Sequence, residues 1–143
     1  MFEQSLMMKT NYLLEKSLDI ESLRRKVISN NVSNVDVPHF KRSEVNFESE
    51  LKRVIETNND LAENNYPGQY SDERHIPFIT MRNIESVQPR INLDYSTSYR
   101  NDGNNVDIEK EIVDANKNLM RYNASVSALS NNFKILKMVM RSA

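Results

Sequence analysis

The sequence predicts a mainly α, elongated protein whose long N- and C-terminal helices pair as an antiparallel coiled coil. A small irregular or β-containing segment is predicted between them. Three observations carry this prediction. Apolar residues recur at intervals close to seven near the N-terminus, and they do so more regularly near the C-terminus. The chain also has only two glycines among 143 residues, whereas folds with many tight turns need more positions at positive φ.

The N-terminal helix is predicted over residues 2–32. Its main apolar row repeats every seven residues and consists of Leu6, Leu13, Ile20 and Val27. Phe2 and Leu23 lie on the same face of the helix. A second, narrower row contains Met7, Leu14 and Ile28. A helix with two apolar rows usually touches more than one neighbour, so we expect packing on two sides.

A cluster of amide side chains follows in NNVSNVDVPHFKR, which is residues 30–42. Asparagines can bond the last free carbonyls of a helix, and one of them can take the left-handed cap position. We expect this role for Asn30, Asn31 and Asn34. Pro38 disfavours helical backbone in the residue before it and is expected to stiffen an extended exit, with Phe40 as an apolar anchor.

The middle of the chain changes character. A short third helix is predicted near Phe47–Glu56, where four apolar residues share a face. From Thr57 onwards turn-forming residues dominate, and short strands are predicted within IPFIT, ESVQPRINLDY and STSY. Because proline cannot donate a ladder hydrogen bond, Pro77 and Pro89 should confine such strands to sheet edges.

The C-terminal helix carries the strongest periodicity. Alternating steps of four and three meet only apolar or aromatic residues: Ile108, Ile112, Ala115, Leu119, Tyr122, Val126, Leu129, Phe133, Leu136 and Met140. Such a 3.5-residue repeat is typical of a helix that supercoils around a partner, so we expect the two terminal helices to bury their apolar rows together. Asp107 is the predicted N-cap, and Glu109 and Glu111 are interpreted as complementing the helix dipole.

These patterns divide the chain into three parts. A terminal-helix coiled-coil domain is predicted from residues 1–34 and 106–143. A signature loop and short helix occupy residues 35–57, and residues 58–105 form the irregular or short-stranded middle segment.

Composition argues against several functions. The net charge of −1 and a pI near 6.1 argue against a basic surface that binds nucleic acid. The chain has no cysteine, which excludes disulfides and thiolate metal sites. His39 and His75, the only histidines, have no acidic or cysteine neighbour at metal-ligand spacing. We therefore expect no catalytic, cofactor or metal site and no small-molecule substrate. No long apolar run resembles a signal peptide, so any export is expected to proceed without a cleaved leader.

The amide cluster also resembles a known signature. Asn31-Val32-Ser33-Asn34, followed by Val37-Pro38-His39-Phe40-Lys41-Arg42, resembles the N-terminal motif of bacterial flagellar rod and hook proteins. That motif runs Asn-(Ile/Val)-Ala-Asn, two residues, then Thr-Pro-Gly-(Tyr/Phe)-Lys. The chain departs from it at Ser33, Val37 and His39. Because His39 stands where the family has glycine, we expect no positive φ there.

The C-terminal region is similar to that of proximal rod subunits in the same family. The resemblance rests on DGNNVD at residues 102–107 and on Asn116 and Tyr122. It implies a structural subunit that polymerises through its terminal helices into the proximal part of the drive shaft, which transmits torque and encloses the export channel. It further implies a place in the periplasmic rod of the basal body after leaderless flagellar type III export.

The resemblance also implies partners and an interface. The expected partners are copies of the chain itself, other rod proteins, the adaptor joining the rod to the membrane ring, and the flagellar export apparatus. The expected assembly interface comprises Leu6, Leu13, Ile20, Val27, Asn31, Asn34, Pro38, Phe40, Ile112, Leu119, Tyr122, Val126, Leu129, Phe133, Leu136 and Met140. The alternatives are a sister proximal rod protein, a cytoplasmic helical secretion chaperone or binding module, and an enzyme.

Overall fold

A computed structural model describes residues 6–64, 80–96 and 100–142. The elements in chain order are α1 (Leu6–Ser33), β1 (Ser43–Asn46), α2 (Glu48–Asn64), β2 (Arg90–Leu93) and α3 (Ile108–Ser142), with a single 3₁₀ turn at Ile84–Ser86. The fold forms two compact units. One combines Met1–Val45 with Ile91–Ala143, and the other is Asn46–Arg90.

The first unit is built on the two terminal helices, which pack against each other along their lengths. They run antiparallel, because Asn11 bonds Asn132 near one end and Asn31 bonds Glu111 near the other. The predicted mainly helical fold with paired terminal helices is confirmed. At 1.5 Å per residue, the 28 residues of α1 span about 42 Å and the 35 residues of α3 about 52 Å.

Local sequence sets where α3 begins. The Oδ1 atom of Asp107 accepts hydrogen bonds from the backbone N–H of Glu109 at 2.9 Å and of Lys110 at 3.4 Å. Two of the donors that a helix start leaves unsatisfied thereby gain a partner. The predicted N-cap is confirmed.

A two-stranded antiparallel sheet lies next to the start of α3. Strands β1 and β2 pair, and beyond them the backbone N–H of Asp94 donates to the carbonyl of Arg42 at 2.9 Å. Strand β2 falls inside the predicted ESVQPRINLDY stretch and begins directly after Pro89, whereas β1 was not predicted. The predictions on residues 76–79 of IPFIT and 97–99 of STSY lie outside the described residues.

The second unit contains α2 and the 3₁₀ turn, with Val54 and Val87 buried. The predicted end of this helix at Glu56 is wrong, since α2 continues to Asn64. Asn58 explains the difference. Its side chain donates to the carbonyl of Arg82 at 2.8 Å and accepts from the N–H of Arg82 at 2.9 Å. A long-range contact thus outweighs the weak helix propensity of asparagine.

None of the helices among the described residues has the length and apolarity to cross a membrane.

Candidate functional site

Five buried polar residues meet where both terminal helices reach the connecting loops. We call them the polar node: Asn31, Arg42, Asn104, Asn105 and Glu111. None of the five is more than 5% exposed. They come from the last turn of α1, the residue before β1, the loop before α3 and the first turn of α3. The node therefore joins residues 31–42 to residues 104–111, two stretches that are far apart in the sequence.

The ion pair at the centre of the node joins Arg42 and Glu111. The Arg42 Nε–H donates to Glu111 Oε1, and its Nη atoms contact Glu44 Oε1 and Asp114 Oδ2, the latter at 3.3 Å. Glu111 is completely buried, so its charge needs these partners. Glu111 lies in the first turn of α3, where a carboxylate complements the helix dipole, but the sequence analysis did not predict that its side chain is buried in the node.

Asn31 binds the backbone of β1 rather than the end of its own helix. Its Nδ2 donates to the Ser43 carbonyl at 2.9 Å and to Glu111 Oε2 at 3.2 Å, and its Oδ1 accepts from the Ser43 N–H at 3.0 Å. Only Asn34 behaves as expected, since its Nδ2 donates to the Asn30 carbonyl at 2.7 Å.

Backbone carbonyls just beyond α1 accept hydrogen bonds from the loop that precedes α3. The Asn104 Nδ2 donates to the carbonyls of Asn34, Val35 and Val37 at 2.8–3.0 Å. Its Oδ1 accepts from the N–H of Val106 at 2.7 Å. A residue of the loop before α3 thus binds the backbone that follows the N-terminal helix, a contact that the sequence analysis did not predict.

The exit from α1 is a tight turn at Val37-Pro38-His39-Phe40, and the extended exit that we predicted is wrong. The Phe40 N–H donates to the Val37 carbonyl at 3.3 Å, Pro38 takes the second position, and His39 has φ +62°. These are the features of a type II turn, which requires positive φ at its third position. The expectation that His39 would avoid positive φ is therefore wrong. His39 is the only non-glycine residue with positive φ among those described, so the expectation of an asparagine in the left-handed cap position is also wrong.

Gly103 lies against this turn and lacks the atom that would collide with it. Its own φ is +78°, and a Cβ built there would lie 2.9 Å from His39 Nδ1. The His39 N–H also donates to the carbonyl of Asp102 at 3.1 Å. The chain thus places histidine where the motif that it resembles has glycine, and the glycine opposite makes room for the imidazole.

Replacing Gly103 with alanine is expected to lower the free energy of unfolding by about 1–2 kcal/mol, because alanine at positive φ is strained. The loss should be smaller when His39 is replaced with glycine as well, since the contact with the imidazole is then gone. Urea unfolding of both proteins, each compared with its Gly103 parent, measures the two effects. An equal loss in the two backgrounds would contradict the contact.

A polar ladder lies between α1 and α3. We give this name to four side-chain pairs: Asn11–Asn132 at 2.8 Å, Ser17–Ser125 at 3.3 Å, Glu21–Asn118 at 2.5 Å and Asn31–Glu111 at 3.2 Å. On α3 the four members are spaced seven residues apart. Glu21 also binds Arg24 at 2.6 Å, so both its carboxylate oxygens have partners.

The apolar row of α3 is therefore turned away from α1 over much of its length. On α3, each ladder residue is followed directly by a large apolar residue. We call these four residues the outer row, and they are 42–55% exposed: Ile112, Leu119, Val126 and Phe133. Consecutive residues lie 100° apart around a helix. The terminal helices pair as predicted. On α3, however, the ladder residues that contact α1 each stand one position before the residue that was predicted to do so.

The remaining predicted interface residues vary in exposure. Ile20 and Val27 are buried, whereas Leu13, Tyr122 and Met140 are exposed. Leu129, Leu136, Asn34 and Phe40 are intermediate, and Pro38 is exposed. The Leu6 side chain and Phe2 lie outside the described part of the chain. Whether these residues form an assembly interface stays a prediction.

A shallow groove beside the ladder has a volume of about 340 Å³. One wall carries Arg25 and Ser22 from α1, and the other carries Leu119 and Tyr122 from α3. In residues 6–64, 80–96 and 100–142, no group of three or more acidic, histidine or cysteine side chains is arranged to hold a metal ion.

One signal in the sequence could have located the polar node. Asparagine clusters occur twice, as NNVSN at residues 30–34 and as NDGNN at residues 101–105. Amide side chains can donate and accept together, so two such clusters near the facing ends of an antiparallel helix pair are natural partners.

Comparison with known proteins gives a consistent set of relatives. No family model matches the chain. The chain is 34% identical to the flagellar basal body rod protein FlgB of Borreliella burgdorferi over 142 residues, which cover 98% of both chains. It is 38% identical to the protein of that name from Borrelia hermsii over 129 residues, covering 90% and 93% of the two chains. For the Bacillus subtilis protein of that name the identity is 31% over 136 residues, covering 95% and 96%.

Proposed function

The chain belongs to the FlgB family of flagellar basal body rod proteins, and from this premise we propose that it polymerises through its terminal helices. In this proposal the polymer is the proximal part of the drive shaft, which transmits torque and encloses the export channel. The chain reaches the periplasmic rod through the flagellar type III export apparatus. It contacts further copies of itself, other rod proteins and the adaptor that joins the rod to the membrane ring.

The observation that carries this proposal is the outer row. Four large apolar side chains lie along one face of α3 and remain about half exposed in the single chain. Their spacing of seven residues extends over about 32 Å of helix. Half-exposed large apolar side chains repeated along one helix face are typical of a contact with another protein. A second helix laid along α3 would cover it.

The polar node supports the proposal in a different way. It fixes both helix ends and the connecting loops through hydrogen bonds and ion pairs. Among the described residues, every buried side-chain nitrogen and oxygen has a hydrogen-bond partner. A subunit that transmits torque needs a rigid connection between its terminal helices. Buried and fully satisfied polar networks provide such rigidity.

The family name favours a rod protein over the cytoplasmic secretion chaperone considered from the sequence. The experiment that tests the proposal removes the gene from the source bacterium. We expect the deletion strain to be non-motile and to lack rods and hooks on electron micrographs of its basal bodies. Antibodies against the chain should label purified wild-type basal bodies, and plasmid-borne wild-type chain should restore motility. Intact rods in the deletion strain would overturn the proposal.

A further inference from the structure

The polar ladder and the outer row occupy neighbouring positions on the same helix. Glu111, Asn118, Ser125 and Asn132 face α1, and each is followed in sequence by a member of the outer row. A rotation of α3 by 100°, the angle of one residue, would bring the outer row to the position that the ladder residues now occupy against α1. The chain therefore has two possible pairings that differ in a single rotation.

Hydrophobic burial alone favours the pairing that is not observed. Turning the outer row onto α1 would remove four large apolar side chains from water, which is a favourable change. The observed pairing instead brings amides, hydroxyls and carboxylates together. Another interaction must therefore decide between the two faces.

The buried carboxylates supply that interaction. Glu21 is 5% exposed, and Asn118 donates to its carboxylate at 2.5 Å and to its backbone carbonyl at 2.8 Å. Rotating α3 would remove Asn118 from Glu21, and it would remove Glu111 from Asn31 and Arg42. Breaking a buried pair leaves an uncompensated charge or polar group, which is strongly unfavourable.

The same residues discriminate between registers. If α3 slid by seven residues in one direction, Glu21 would face Glu111 and two carboxylates would be buried together. If it slid the other way, Asn11 would face Val139 and its amide would lose its partner. Polar residues at inner positions of coiled coils are known to specify register and orientation in this manner.

We propose that the polar ladder is the specificity determinant of the helix pair: it sets the rotation and register of α3 against α1 and so holds the outer row on the surface. The ladder chooses which face of α3 the chain presents. This role concerns the single chain, and it stands whether or not the outer row contacts the partners proposed above.

Disulfide trapping tests the proposal, since the chain has no cysteine of its own. The pair Ser17→Cys/Ser125→Cys reports the observed rotation, because the two hydroxyl oxygens lie 3.3 Å apart. The pair Ser17→Cys/Val126→Cys reports the alternative rotation. Both proteins are oxidised when dilute. Monomeric products are then isolated and their disulfides are assigned by peptide mass spectrometry.

We expect the first pair to cross-link at least tenfold more than the second in the otherwise unchanged chain. Adding Asn118→Ala and Asn132→Ala should reduce this ratio at least fivefold. The matched control replaces two exposed asparagines of α3 outside the ladder, Asn116→Ala and Asn123→Ala, and should leave the ratio unchanged.

Three results would overturn the proposal. The ratio could stay constant in the ladder variant, or it could fall equally in the control. Both cross-links could also disappear together with the helical circular dichroism, in which case the ladder holds the helices together without choosing their rotation. Circular dichroism of every variant before oxidation distinguishes these results.

Discussion

Replacing Glu111 with alanine is expected to lower the free energy of unfolding of the first unit by about 3–5 kcal/mol. Glu111 is fully buried, and its two carboxylate oxygens accept from Arg42 and Asn31. The variant would leave a 5%-exposed guanidinium without its most buried counter-charge. A loss of this size is a large fraction of the stability of a domain, so the variant should unfold at much lower urea concentration.

Two comparisons separate the buried charge from other effects of the substitution. Glu109→Ala removes an exposed carboxylate from the same turn of α3 and should change the free energy of unfolding by less than about 0.5 kcal/mol. The double variant Arg42→Met/Glu111→Leu replaces both charges with apolar side chains and should recover much of the loss. If Glu111→Ala unfolds like Glu109→Ala, the polar node does not hold the two helices together.

The parts of the fold that could be predicted are those decided by nearby residues. The N-cap of α3 follows from Asp107 and its own next turn, and both terminal helices follow from periodicity over several turns. The end of α2 was misjudged because it depends on Asn58 binding Arg82, which lies 24 residues further along the chain. The turn at His39 was misjudged because its neighbour across space, Gly103, makes the imidazole acceptable.

The candidate site shows the same division more clearly. Apolar periodicity identified the row on α3, but periodicity says only that a row has a partner, and it does not say which one. The residues facing α1 are decided by pairs such as Glu21 with Asn118, 97 residues apart, whose complementarity is not visible in either helix alone. A hydrogen-bond partner at such a distance cannot be read from spacing. The two asparagine clusters of the polar node are visible in the sequence, but which of their side chains bond to each other is decided by the same long-range pairing.

Replacing Phe133 with aspartate is expected to abolish incorporation of the chain into the rod while leaving the single chain folded. Phe133 is 55% exposed and belongs to the outer row, so the substitution removes little intrachain packing. In the proposed polymer the same side chain is covered by a neighbouring helix. A carboxylate there would be buried without a partner, which costs several kcal/mol at every subunit contact. The measurement is motility in soft agar, together with immunoblots of purified basal bodies.

Asn131→Asp provides the matched control, since it introduces the same carboxylate at an exposed position of α3 two residues earlier and outside the outer row. This variant should be incorporated normally. The circular dichroism of both purified variants should equal that of the wild-type chain, which separates a lost contact from a lost fold.

The amount of Phe133→Asp protein outside the cytoplasm distinguishes failed assembly from failed export. Because an exported chain that cannot polymerise has no place in the rod, we expect the variant in the periplasmic or culture fractions and not in basal bodies. A Phe133→Asp strain that swims normally and has wild-type amounts of the chain in its basal bodies would show that the outer row faces water in the rod. The polymer would then have to be held together by another surface of the subunit.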